Sequence, residues 1–71
     1  MSKVISTNPE IMGGTPVFAG TRVPIETLFD YLKGGDPIQE FLDDFPSVSS
    51  EQVKILLSEV VAEFLHGTKA A

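Results

Sequence analysis

The chain has 71 residues, a net charge of −5, no cysteine and one histidine, His66. That length supports one small domain, and the missing cysteines exclude a disulfide framework and thiolate metal sites. Hydrophobic content of 42% and charged content of 21% describe a globular chain. No apolar run reaches the length of a membrane span, and Met1-Ser2-Lys3 opens no signal peptide, so a cytoplasmic protein is expected. The charge is uneven: residues 1–23 carry +1, residues 24–46 carry −5 and residues 47–71 carry −1. An acidic chain does not coat nucleic acid non-specifically.

The first 23 residues are punctuated by Gly, Pro and Thr. Residues 3–6 predict a short strand, Asn8-Pro9 a turn, and residues 11–16 a bend. Val17-Phe18 and Thr21-Arg22-Val23, separated by Ala19-Gly20, predict a hairpin-like pair bracketed by Pro16 and Pro24. From residue 24 helical spacing takes over. Ile25, Leu28, Phe29 and Leu32 predict a helix over 25–33, with Pro24 suited to its first turn and Gly34-Gly35 to its end. Asp36-Pro37-Ile38-Gln39 predicts a second start, with Asp36 as cap and Gln39 completing a capping box. Ile38, Phe41, Leu42 and Phe45 form its stripe, and Pro46 stops it.

Ser49 with Gln52 predicts the capping box of a third helix, which Gly67 is expected to end. Val53, Leu56, Leu57, Val60, Val61, Phe64 and Leu65 sweep about 180° of this helix, wider than one buried face requires. Either the helix is central to a small core or part of the stripe faces a second copy; the two are compatible. The expected fold is mainly α: a β arm or hairpin over 1–23, then a three-helix unit over 24–67, one domain in all. The tight connection Pro46-Ser47-Val48 makes the last two helices match a helix-turn-helix unit.

Catalytic readings fare poorly. Asp43-Asp44 and Glu59/Glu63 fit a solvated helix face, His66 suits the negative end of a helix, and Ser49-Ser50 suit caps with no base nearby in sequence. Gly13-Gly14-Thr15 and Gly20-Thr21-Arg22 lack phosphate-loop spacing and its lysine, and read as turns. No enzyme activity, metal or cofactor is expected. Arg22, the one arginine, can touch a nucleic-acid phosphate or pair with a carboxylate of residues 24–46; the pairing is the favoured reading. The start of helix three offers Ser47, Ser49, Ser50, Glu51, Gln52, Lys54 and Ile55 to a major groove, a set competent to read bases but poor in positive charge.

The run Met12-Gly13-Gly14-Thr15-Pro16-Val17-Phe18-Ala19-Gly20-Thr21-Arg22-Val23-Pro24 resembles the signature of the prokaryotic family called domain of unknown function 433. Gly35-Asp36-Pro37, Phe45-Pro46 and the long apolar helix fit it too, and the resemblance spans roughly residues 3–66. It implies a homeodomain-like, three-helix DNA-binding class with a β element in front. It also implies an antitoxin role of the VapB type, because such proteins are often encoded beside a PIN-like nuclease. The signature positions Gly14, Pro16, Gly20, Thr21 and Arg22 read as residues that shape the arm. The family commonly has Tyr where this chain has Phe45, so a hydroxyl is lost there.

The resulting expectation is a dimeric DNA-binding or antitoxin-type regulator, contacting DNA through Arg22, Ser49, Ser50, Gln52 and Lys54. An acidic face of Glu26, Asp30, Glu40, Asp43 and Asp44 would meet a basic partner such as a PIN-like toxin nuclease. Only four residues follow Gly67, so a toxin contact would use the folded surface or the arm. The alternative is a protein-interaction module of helix-turn-helix shape that binds no DNA.

Overall fold

The computed structural model describes residues 3–69, and side chains as far as residue 66. Two short strands, β1 (Ile5–Ser6) and β2 (Val17–Phe18), pair antiparallel with Ile5 opposite Phe18 and Ser6 opposite Val17. Between them Asn8 accepts the Glu10 N–H on its side chain at 2.8 Å, which forms the Asn8-Pro9 turn. A tight turn over Met12–Gly14 follows, with Gly13 at φ 68° and Gly14 at φ 94°. Glycine is suited to both positions because L side chains are strained there.

The hairpin expected between Val17-Phe18 and Thr21-Val23 is present only as a tight corner. Thr21 N–H donates to Phe18 O at 2.9 Å, Phe18 N–H to Val23 O at 2.9 Å, and Val17 bridges Pro24. Val23 N–H goes to the Thr21 hydroxyl and Pro16 has no N–H to offer Ile25, so this second ladder stops after one bridge and β2 takes β1 as its strand partner. Gly20, at φ 79°, allows the corner.

Three helices follow: α1 (Ile25–Lys33), α2 (Ile38–Asp44) and α3 (Ser50–Lys69). Their apolar periodicity is the sequence's own, and α1 has the bounds that spacing predicts. Gly35, at φ 86°, closes α1 by donating to Leu32 O, while Asp36 N–H reaches back to Tyr31 O at 3.0 Å. This corrects the expected cap at Asp36. Its backbone belongs to the end of α1, so α2 starts one residue later, with Pro37 in the cap position and no side-chain capping bond. Gln39 completes no capping box; its amide donates to Asp43 at 2.9 Å instead.

Phe45 leaves helical geometry at φ −127°, ψ 73°, as a residue before proline should. At α3 the capping box forms in full: Gln52 N–H donates to Ser49 Oγ at 3.1 Å, and Ser49 N–H to Gln52 Oε1 at 3.0 Å. Gly67 does not end this helix, which runs on to Lys69. A glycine inside a helix costs about 1 kcal/mol relative to alanine, which is not enough to break it.

Both strands and all three helices contribute to or pack on one core. Val4, Val17, Phe18, Val23, Leu28, Phe41, Val48, Val53 and Leu56 are buried. Phe18 and Phe41 are fully enclosed, their ring centroids 5.8 Å apart. The arm is thus a wall of the core rather than an appendage. The core ends about two turns into α3: beyond the half-buried Leu57, the large apolar residues face outwards.

Candidate nucleic-acid and partner interface

The start of α3 is fixed to the arm by one side chain. Gln52 Nε2 donates to Ala19 O at 3.0 Å, across 33 residues of sequence, while its Oε1 accepts from Ser49 N–H. Both ends of the amide are engaged inside the fold. Gln52 is therefore a tie between α3 and the corner after β2, which corrects its expected role as an outward base contact. Ser49 Oγ is likewise committed to the cap. Ser47, Ser50, Glu51 and Lys54 remain exposed, and Ile55 is half-buried.

Arg22 is exposed at the corner that Gln52 pins. Thr21 shapes that corner: its hydroxyl donates to Phe18 O at 2.8 Å and accepts the Val23 N–H at 3.0 Å. Gly20, Thr21 and Arg22 share a depression of about 590 Å³ with Phe45 and Ser47, so the arginine lies beside the turn into α3. The expected pairing of Arg22 with a carboxylate of residues 24–46 is not made; Arg22 has no ion pair among the described residues. Several of those carboxylates find partners nearer in sequence. Asp30 pairs with Lys33 at 3.7 Å and Asp43 takes Gln39. Such short-range partners on one helix cost little chain ordering. Lys54 lies along α3 with Glu51 and Glu59 lining the same hollow, so its positive charge stands among acid.

The acidic residues do not form one face. Glu26 lines a separate hollow of about 410 Å³ with Ile5, Pro16, Ile25 and Phe29, against the arm. Asp44, Glu40 and Asp36 instead gather around the chain's single tyrosine. Tyr31 OH donates to Asp44 at 2.6 Å, and its ring meets Phe41 and Phe45 edge-on at 5.5 and 6.0 Å. That hydrogen bond, with desolvation and the charges of Asp44, Glu40 and Asp36, pushes the phenol up to about 12. The corner at Phe45 thus has a hydroxyl beside it, supplied by α1. Tyr31 and Asp36 are the site residues that sequence reasoning missed. The available signal was a lone polar-tipped aromatic at the edge of an apolar stripe, 13 positions before the carboxylate it meets.

Among the described residues no three of His, Asp and Glu come together as metal ligands. No helix among them is long and apolar enough to cross a membrane.

A family model described as "Protein of unknown function (DUF433)" matches residues 5–58. An uncharacterized protein, y4eO of Sinorhizobium fredii (strain NBRC 101917 / NGR234), is 36% identical over 61 residues, which is 86% of this chain and 27% of that protein. The chain therefore spans about a quarter of that relative's length. The crystal structure of a DUF433 member from Anabaena variabilis ATCC 29413, at 2.00 Å, superimposes with a TM-score of 0.67 at 27% identity. It covers 96% of this chain and 69% of that one.

Proposed function

The chain belongs to the DUF433 family, and from that premise we propose that it is a non-enzymatic, DNA-binding regulator of the antitoxin type, acting in the cytoplasm as a homodimer. One observation carries the reading: Arg22 is exposed, without a carboxylate partner among the described residues, and shares a depression with Ser47 at the turn into α3. In homeodomain-like proteins an N-terminal arm and the start of a recognition helix contact DNA together. In this reading Arg22 reaches a phosphate, Ser47 and Ser50 hydrogen-bond the backbone or a base edge, and Lys54 adds a second phosphate contact. Two basic contacts per chain give weak binding, and two chains on two half-sites double them.

The antitoxin part of the reading rests on the group formed by Asp44, Glu40 and Asp36 around Tyr31, which is where a basic nuclease of PIN-like type would dock. Charge reversal at Asp44 should slow that association, most at low salt.

The test is fluorescence anisotropy with a short duplex from the protein's own promoter. Arg22→Ala and Lys54→Glu should each weaken binding and each reduce the salt slope by about one. Variants that bind as the parent does would remove this surface from the reading.

A second reading has its own support. Gln52 is engaged inside the fold, and Lys54 stands among Glu51 and Glu59. Both favour a protein-interaction module without DNA binding. That module would show no salt-dependent complex with any duplex.

A further inference from the structure

We propose that the C-terminal half of α3 is a self-association surface, covered by the same stretch of a second copy of this chain. The proposal rests on the dimeric part of the reading above, names the surface behind it, and is independent of DNA. Val60, Val61, Phe64 and Leu65 are 42, 56, 65 and 59% exposed, four large apolar side chains within six positions. Together they leave on the order of 400 Å² of apolar surface, a size at which patches on a monomer are often functional. Most of this stretch lies beyond residue 58, where the family match ends.

The spacing of the stripe specifies a helix as its cover. Leu57, Val60 or Val61, and Phe64 follow one another at intervals of three and four, the repeat of a seam between two helices. Leu57, Ser58, Val61, Ala62 and Leu65 line a groove of about 460 Å³ along the same face. Its small residues, Ser58 and Ala62, let a facing helix come close.

Charge identifies which helix. At about 100° per residue, Glu59, Glu63 and His66 fall on the side of α3 turned away from the stripe. From Leu57 to Leu65 the seam carries no charged residue, in a chain of net charge −5. A basic partner would find nothing to pair with on this face. A second copy sets apolar against apolar without bringing like charges together. Even with the flanking Leu57, Ser58 and Ala62 covered, its area stays below the roughly 800 Å² per partner of a standard interface, so the dimer is a weak one.

The experiment is analytical ultracentrifugation of the full chain without DNA, from ~1 μM to ~100 μM, the range in which a small interface exchanges partners. The mass of the parent should rise from near 7.7 kDa towards twice that. Phe64→Glu and Val61→Ser should stay at one chain throughout, with unchanged far-ultraviolet circular dichroism because both positions lie outside the core. Glu63→Gln, on the opposite side, should dimerise as the parent does. A parent that stays monomeric, or a folded Phe64→Glu that still dimerises, overturns the proposal. If Phe64→Glu unfolds, Val61→Ser decides by the same criterion. The DNA reading fails separately: a parent that dimerises through this seam and ignores DNA upholds the seam and removes the regulator.

Discussion

The two halves of α3 have nearly the same sequence character and opposite fates. In Ser50–Leu57 the apolar positions enter the core: Val53 and Leu56 are 1% exposed. In the half that follows, the same spacing continues, yet Val60, Val61, Phe64 and Leu65 lie in the open. Periodicity specifies a helix and a stripe; it does not say where the rest of the chain runs out. The arm, α1 and α2 supply enough side chains to cover about two turns of α3 and no more. The first half therefore answers for stability, and the second is available for association.

Core truncation should separate the halves most sharply. Leu56→Ala should cost about 2–5 kcal/mol in denaturant unfolding, since it empties a fully enclosed position. Phe64→Ala, though it removes a larger side chain, should stay within about 0.5 kcal/mol at low protein concentration, as exposed substitutions do. Equal losses would mean that both halves of α3 serve stability alike. A smaller effect should come from the anchor of the first half. Ser49→Ala removes the acceptor of the Gln52 N–H and should cost about 0.5–2 kcal/mol. Gln52→Ala removes its share of the cap and the tie to Ala19 together, so it should cost at least as much, read in the same unfolding curves.

The smallest effect concerns pH and the α1–α2 contact rather than α3. Tyr31 is raised from 10 to about 12 in the folded chain. A raised acid stabilises the fold fully below pH 10, and that contribution is lost as pH climbs from 10 to 12. Thermal unfolding followed across that window should show the loss in the parent and not in Tyr31→Phe. Ultraviolet titration should give one phenol ionising near 12, while ionisation near 10 would mean the Asp44 contact is absent in solution.

Much of the fold was legible because it is local. The bounds of α1, the stop at Pro46 and the Ser49–Gln52 box all follow from side chains within four positions of one another. What was illegible is what joins distant segments. Asp36 is a local exception: it looks like a cap, yet Pro37 takes the cap position with no side-chain bond. Gln52 looks like an outward reader until Ala19, 33 residues away, is seen to hold it. Tyr31 and Asp44 meet only because α1 and α2 pack together. The candidate site suffered more than the fold for the same reason: a list of exposed polar residues contains no information on which of them the tertiary structure has engaged. The structure leaves Arg22 exposed, and sets Glu26 in a different hollow from the acids around Tyr31.

The regulator reading stands on whether two chains sit on one duplex. Light scattering of the protein mixed with a short duplex from its own promoter, at about 50 mM and about 200 mM salt, measures this directly. A DNA-binding dimer gives a complex carrying two chains per duplex at the lower salt, released at the higher. A duplex whose mass is unchanged by the protein at both concentrations would contradict it.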